Sequence, residues 1–221
     1  TAEHKIAGKK FYDYENYFPE FNNVKSQTIK EWPLHDIFNL KAALVALHLI
    51  LEYKENIVIH DINDFLDKAI KIITSFKKPP HRFEVLENIN DILYINDSKA
   101  TNFDATFKSI ESCRILNKEG NIFLICGGDL KGQQLNRNNA SNFYEINKCF
   151  IYGKDKSILK QVLSDFTSCF CCDDLDSAYS LAREESKAGD IILFSPLCSS
   201  TDMFKDYRER GNRFKELVKQ S

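Results

Sequence analysis

The sequence lacks both the long apolar runs of membrane proteins and the one-sided charge of many nucleic-acid-binding proteins. Its 221 residues include 30 basic and 32 acidic side chains, which give a formal net charge of -2. A basic face that would attract nucleic acid or an anionic membrane is therefore not expected. No apolar run is long enough to cross a bilayer, and the first residues are polar, unlike a signal peptide. We expect a cytoplasmic monomer that binds neither nucleic acid nor membranes.

Patterns for disulfides and metal ions are also missing, although the chain contains seven cysteines. Their number is odd and most lie inside apolar runs, which indicates buried thiols in a reducing compartment. Cys169-Phe170-Cys171-Cys172 is the exception, but no second cluster or nearby histidine completes a tetrahedral metal site. An apolar strand is the better interpretation of that segment. The histidines show neither metal-ligand nor catalytic-triad spacing, so no metal site is predicted.

The N-terminal part of the sequence contains few patterns that indicate secondary structure. Met203 is the only methionine, so a chain beginning at Thr1 has no initiator residue of its own, and we expect sequence upstream. Residues 1–33 are aromatic and polar without a sustained period, and we assign them no fold. Residues 39–53 and 62–76 then carry apolar side chains at helical spacing, which predicts two packed helices.

A domain boundary is predicted at Lys77-Lys78-Pro79-Pro80. Proline lacks a backbone N–H and disfavours helix in the residue before it, so helical structure should end at this segment. We therefore expect a mainly helical first domain over residues 1–78 and a second domain over residues 79–221.

From His81 onward, strand and helix patterns alternate. Strands are predicted at 83–89, 92–95, 122–126, 149–152, 169–172 and 191–194, and helices at 104–113, 156–166, 174–187 and from Asp202. This alternation predicts an α/β fold, a mostly parallel sheet with helices on both faces. Loops that follow the strands should gather at the carboxyl edge, where open sheets bind ligands.

Polar side chains are concentrated in these loops. Thr101-Asn102 and Ser200-Thr201-Asp202 each precede a predicted helix, and their oxygens would suit helix caps. Simple capping is one interpretation. The other is an anion site, because two helix starts near Lys99 and Lys131 would suit a small dianion.

Two further segments also allow two interpretations. Gly127-Gly128-Asp129-Leu130-Lys131-Gly132 is not a P-loop, which needs G-x-x-x-x-G-K-[ST]. It is either a turn with a solvated lysine or a backbone that a ligand can approach beside a positive charge. Arg82 is either a surface residue paired with Glu84 or a guanidinium that reaches a polyphosphate on a neighbouring domain.

Four segments, in this order, resemble the C-terminal domain of the Mur ligase family. They are His81-Arg82-Phe83-Glu84, Asn96-Asp97-Ser98-Lys99-Ala100-Thr101-Asn102, Gly127 to Gly132, and Ser195-Pro196-Leu197-Cys198-Ser199-Ser200. The second segment is typical of the members that add D-glutamate. Pro33 to Asn39 further resembles the end of the family's central ATP-binding domain, so the resemblance runs from Trp32 to the C terminus. It implies that 1–78 is a remnant of that domain and that 79–221 is the Rossmann-like C-terminal domain.

The resemblance implies ATP-dependent ligation of D-glutamate to UDP-N-acetylmuramoyl-L-alanine through an acyl phosphate, in peptidoglycan precursor synthesis. Asn39 would contact the adenine of ATP, and Arg82 would contact its terminal phosphates. Asp97 would either contact the ribose or orient the guanidinium of Arg82. Lys99 and Arg82 would be the catalytic residues. The carboxylates of D-glutamate would be held by Lys99, Thr101, Lys131, Ser200 and the backbone of Tyr207. Mg²⁺ would accompany ATP on ligands upstream of this chain.

The chain also departs from the family pattern. Leu130 replaces a glycine where backbone approach matters, and Tyr207 replaces a phenylalanine. The family's ATP-binding loop and N-terminal domain do not occur in these residues, so we expect the chain alone to be inactive. Two alternatives remain: a noncatalytic binding module, or a related ATP-dependent glutamate ligase such as folylpolyglutamate synthase, which the Asn96 to Asn102 and His81 to Glu84 segments disfavour.

Overall fold

A computed structural model describes residues 34–54, 60–74, 79–134 and 142–221. Trp32 and Pro33, which begin the family resemblance, and the predicted helix end at 75–76 lie outside these ranges. The chain forms two compact units, Thr1–Lys77 and Lys78–Ser221. Within the described ranges, no helix combines the length and the apolar character that a membrane span requires.

The first unit contains two helices in its described part, α1 (Leu34–Tyr53) and α2 (Ile62–Thr74). Helix α1 begins five residues before the predicted position, and Asp36 in its first turn is favourable beside the helix N-terminal dipole. Asp61 starts α2, because its Oδ1 accepts from the backbone N–H groups of Asn63 and Asp64 at 2.9 and 3.2 Å. The two helices share one apolar cluster, formed by Leu40, Leu44, Val45, Leu66, Ala69 and Ile70.

The second unit is built on a six-stranded sheet in the order β1-β2-β6-β3-β4-β5. The strands are β1 (Glu84–Ile89), β2 (Ile92–Asn96), β3 (Ile122–Gly127), β4 (Lys148–Tyr152), β5 (Ser168–Cys171) and β6 (Ile191–Phe194). Only β1 is antiparallel to its neighbour, and every other pairing in this sheet is parallel. The β1–β2 hairpin turns at Asn90 and Asp91, whose φ angles of 53° and 58° are those of a tight type I′ connection.

Helices cover both faces of the sheet, as predicted. They are α3 (Phe103–Leu116), α4 (Lys156–Leu163), α5 (Leu175–Glu185) and α6 (Tyr207–Lys219). In β3, Leu124 packs on the face with α3 and α4, whereas its neighbour Phe123 packs on the face with α5 and α6. This alternation within a fully buried strand is what a sheet sandwiched between helices requires.

Other predicted helix boundaries were also wrong, among them the end of α4 and the start of α6. Helix α4 ends at Leu163, where the N–H groups of Phe166 and Thr167 both donate to the Leu163 carbonyl, at 2.9 and 3.1 Å, in a turn that leads into β5. Helix α6 begins at Tyr207 instead of Asp202, because Asp206 is its cap and accepts from the amides of Arg208 and Glu209. The interpretation of Ser200-Thr201-Asp202 as a helix cap was therefore wrong. The capping role of the Thr101-Asn102 segment is confirmed, as Asn102 accepts from the Ala105 amide at 2.8 Å.

Candidate functional site

The loops after β2, β3 and β6 lie at the carboxyl edge of the sheet and are joined by direct hydrogen bonds. Gln133 Nε2, after β3, donates to the Thr101 carbonyl at 2.9 Å. Asp129 and Ser199 exchange two backbone hydrogen bonds of 3.0 and 2.9 Å. Ser98 Oγ donates to the Tyr207 carbonyl at 2.8 Å, which ties the β2 loop to the start of α6. The predicted polar loops thus form one continuous surface.

Asp97 is the buried centre of the β2 loop. Its Oδ1 accepts from the Phe83 amide at 3.0 Å, and its Oδ2 accepts from the hydroxyls of Ser109 and Ser195. Burial disfavours the charged carboxylate and raises the pKa of Asp97 to about 6, although these hydrogen bonds act in the opposite direction. The side chain is enclosed by protein, and its bond to the Phe83 amide connects it to the segment that carries Arg82.

Arg82 lies on a tight turn at the start of β1. Its neighbours His81 and Phe83 both have left-handed φ angles, 66° and 43°, which are unusual for residues with a side chain. The Arg82 side chain is exposed. Glu84 is instead bonded to Lys215 Nζ at 2.6 Å and to the His81 amide at 3.0 Å. The interpretation of Arg82 as a surface partner of Glu84 was therefore wrong.

Lys99 lies against the ring of Tyr207. Its Nζ is 4.4 Å from the ring centroid and donates to the phenolic oxygen at 3.3 Å. The guanidinium of Arg208 lies 5.0 Å from the same ring. Cations are attracted to the face of an aromatic ring, so Tyr207 holds two positive groups beside the β2 loop. The hydroxyl that distinguishes Tyr207 from phenylalanine is used in this contact.

The glycine pair of the β3 loop permits close backbone contacts. Gly127 and Gly128 have φ angles of 136° and 130°, and a Cβ on Gly128 would lie 2.2 Å from the Ser199 carbonyl oxygen. Only glycine can adopt such a conformation at so short a distance. Leu130 places its side chain in the core, where it is 6% exposed, so it does not cover the loop backbone. Lys131 follows with an exposed side chain and a left-handed φ of 49°.

The residues predicted for the second unit lie on these linked loops, on the adjoining turn around Arg82 or, for Tyr207, at the first residue of α6. Ser200 is buried in the β6 loop, and Thr101 is half-buried at the end of the β2 loop. Asn39 belongs to the first unit, where it is exposed on α1. Within the described ranges, no group of three or more His, Cys, Asp or Glu side chains is suited to hold a metal ion.

Arg210 is a functional candidate that the sequence interpretation missed. It is fully buried in α6 and donates from Nε to Ser98 Oγ at 3.1 Å, from Nη2 to the Ser98 carbonyl at 2.8 Å and from Nη1 to the Cys198 carbonyl at 3.1 Å. Burial lowers the pKa of its guanidinium, but arginine remains protonated in proteins. Its spacing from Phe214 and Leu217, four and seven residues later, could have marked it as an inward-facing cation.

We expect Asp97→Asn to remove one pH dependence of stability. The native pKa of about 6 exceeds the ordinary value of 3.8, so the native state binds more protons between these values. The contribution of Asp97 to the free energy of unfolding is present below pH 4 and lost as the pH rises through 6, by about 2 to 3 kcal/mol. Urea denaturation at pH 4, 5, 6 and 7 measures this.

Asp104→Asn is the matched control, because Asp104 is an exposed carboxylate on the same helix as Ser109. Carboxylates with lowered pKa values, such as Asp129 and Asp206, give stability that rises with pH, and they are present in both variants. The comparison between variants therefore isolates Asp97. Identical pH profiles for the Asp97→Asn variant and the parent chain would contradict the assignment.

Known proteins are similar to this chain in sequence and in fold. The family model described as "Mur ligase, glutamate ligase domain" matches residues 81–198, more than half of the chain. The UDP-N-acetylmuramoylalanine--D-glutamate ligase of Hydrogenobaculum sp. (strain Y04AAS1) is 32% identical over 97% of this chain and 47% of its own length. That of Geobacter sp. (strain M21) is 37% identical over 69% of this chain and 33% of its own. The chain thus spans at most about half the length of these curated relatives.

Solved structures resemble the fold at lower sequence identity. UDP-N-acetylmuramate-alanine ligase MurC from Thermotoga maritima matches with a TM-score of 0.57 and 16% identity, over 86% of this chain and 39% of that one. The MurF ligase from Thermotoga maritima, solved in complex with ADP, matches with a TM-score of 0.50 and 20% identity, over 86% and 40% of the two chains. These similarities support the fold alone.

Proposed function

Because the chain belongs to the Mur ligase family, we propose that it carries the D-glutamate site of a UDP-N-acetylmuramoylalanine--D-glutamate ligase. Relatives of that name cover nearly all of the chain, whereas the chain covers about half of them. The complete reaction is therefore proposed for an enzyme of the full length of these relatives, with ATP and UDP-N-acetylmuramoyl-L-alanine as its other substrates. The reaction would be the ligation of D-glutamate in peptidoglycan precursor synthesis.

One observation carries this proposal: four cations at the carboxyl edge are not in contact with a carboxylate among the described residues. Among the described residues, no carboxylate forms an ion pair with Arg82, Lys99, Lys131 or Arg210. The nearby Asp129 is instead bonded to Lys154 Nζ at 3.0 Å. Cations that lack a carboxylate partner where several loops converge are suited to an anionic ligand. D-Glutamate brings two carboxylates, and ATP brings a polyphosphate.

The geometry favours one of the two roles considered for Asp97. Its carboxylate is enclosed and fully engaged, and its Oδ1 bond fixes the Phe83 amide next to Arg82. We assign Asp97 to the orientation of Arg82, which would meet the terminal phosphates of ATP. Guanidinium groups suit this task because their planar fork matches phosphate oxygens. Asn39 remains the proposed contact of the adenine.

Lys131, Thr101 and Ser200 would hold the carboxylates of D-glutamate, together with Lys99 and the backbone at Tyr207. Their role is to fix the amino group toward the activated carboxyl group of the other substrate. Orientation of this kind can supply much of the rate of a two-substrate reaction. The cations also reduce repulsion between the anionic reactants. ATP supplies the phosphoryl group that activates the acceptor, and we assign Mg²⁺ no ligand among the described residues.

The proposal predicts that Lys131→Ala weakens D-glutamate binding by about tenfold or more, and Thr101→Ala by several-fold, because charge-assisted hydrogen bonds to the ligand are lost. Titration calorimetry of the 221-residue chain with D-glutamate measures both. Lys118→Ala, in the exposed turn after α3, is the matched control and should bind as the parent chain does. Unchanged affinity in both site variants would refute the assignment.

A further inference from the structure

The loop after β4, Gly153-Lys154-Asp155, has no role in the site described so far. It is nevertheless hydrogen-bonded to the loop that carries Lys131. Asp155 Oδ2 accepts from the Leu130 amide at 2.7 Å, and the Asp155 amide donates to the Gly128 carbonyl at 3.1 Å. These two bonds lie on either side of Asp129. The β4 loop therefore fixes the backbone immediately before Lys131.

The Asp155 side chain makes this contact instead of capping helix α4. It occupies the N-cap position of α4, but its side chain makes no capping hydrogen bond. An aspartate at this position usually accepts from the first-turn amides and stabilises the helix by about 1 kcal/mol. Here the carboxylate is directed to the Leu130 amide of another loop. Helix capping therefore does not explain why this side chain points where it does.

The backbone at Lys131 needs such support. Its φ of 49° is in the left-handed region, which costs about 1 to 2 kcal/mol for a residue with a side chain. The Lys131 amide donates to Asp129 Oδ1 at 2.8 Å, while Asp129 Oδ2 accepts from Lys154 Nζ at 3.0 Å. Lys154 in turn donates its amide to Asp202 Oδ2 at 2.9 Å. Asp129 and Leu130 are thus each bonded to the β4 loop, and Lys131 is bonded to Asp129.

The same contacts control the charge near Lys131. Asp129 is only two residues away, and an unengaged carboxylate there would compete with an anionic ligand for the lysine. Its two oxygens are instead occupied by the Lys131 amide and by Lys154 Nζ. The ion pair with Lys154 thus reduces the attraction between the Asp129 carboxylate and the Lys131 ammonium.

We propose that Asp155 is a positioning residue for Lys131, and that it sets the affinity for a D-glutamate carboxylate without touching the ligand. This inference rests on the proposed function, because Lys131 must bind that carboxylate. Asp155 acts through a backbone amide, so any side chain that offers an acceptor oxygen at the same place should substitute for it.

The test is D-glutamate binding by the 221-residue chain and its variants, measured by calorimetry. Asp155→Ala should weaken binding by about tenfold, whereas Asp155→Asn should stay within about threefold of the parent, because its amide oxygen still accepts from Leu130. Asp173→Ala is the matched control, since Asp173 is a fully exposed carboxylate in the loop after β5. Its affinity should equal that of the parent chain.

A double variant separates positioning from general structural damage. If Asp155 acts only through Lys131, Asp155→Ala should cost no further affinity in a chain that already carries Lys131→Ala. Full additivity of the two losses would overturn the inference, and so would parental affinity in Asp155→Ala. If the parent chain itself fails to bind D-glutamate, the proposed function fails first. If the parent chain binds D-glutamate and the Asp155→Ala variant binds it with the same affinity, the positioning role of Asp155 is wrong but the proposed function stands.

Discussion

Gly128→Ala is expected to lower the free energy of unfolding by about 3 kcal/mol or more and to abolish D-glutamate binding. Two costs add at this position. A φ of 130° is almost closed to residues with a side chain, and the new Cβ would lie 2.2 Å from the Ser199 carbonyl oxygen. A backbone atom cannot rotate away as the end of a side chain can. The β3 and β6 loops must therefore separate, and Lys131 moves with them.

Gly132→Ala is the control for the backbone cost alone. Gly132 also has a positive φ, 76°, but a Cβ there would meet no atom within 4 Å. We expect a loss of about 1 kcal/mol and little change in affinity. Urea denaturation and calorimetry of both variants give the comparison. Equal losses of stability in the two variants would show that loop contact at Gly128 is not responsible.

Most of the sheet could be predicted from the sequence because its strands are short apolar runs that end in polar loops. The position of β6 was predicted to the residue, and the gap between the predicted strands 83–89 and 92–95 coincides with the turn at Asn90 and Asp91. Such strands can be recognised from local sequence, because a strand that is buried on both faces must consist almost entirely of apolar residues. The gathering of the polar loops at one edge then follows from parallel pairing.

The wrong helix start at Asp202 has a physical cause. An aspartate that precedes a helix-like segment resembles a cap, but the Asp202 carboxylate accepts from the Lys154 amide, 48 residues away. Asp155 is the converse case, because it stands at a cap position and serves a distant loop. Two side chains in the same local sequence pattern can therefore differ in role, because one of them hydrogen-bonds to a residue that is distant in the sequence. Local sequence patterns do not show such contacts. The left-handed turn around Arg82 could not be predicted for the same reason, since neither of its neighbours is glycine.

Arg210→Met is the second substitution with a large expected effect. Methionine preserves much of the packing but leaves the carbonyls of Ser98 and Cys198 without their buried donor. Unpaired buried acceptors cost about 1 to 3 kcal/mol each, and relief from burying a charge offsets part of this. We expect the free energy of unfolding to fall by about 3 kcal/mol, with D-glutamate affinity reduced by about tenfold or more as the charge beneath the loops is lost.

Arg210→Lys distinguishes the two contributions of this side chain. Lysine keeps a positive charge but lacks the planar fork that reaches both loops, so it should restore part of the affinity and little of the stability. Arg208→Met is the matched control, because Arg208 is an exposed arginine of the same helix and its ion pair with Asp206 is 3.5 Å long. Its stability should stay within about 1 kcal/mol of the parent. Parental stability in Arg210→Met would mean that the guanidinium does not join the β2 and β6 loops, and the proposed site would lose its internal support.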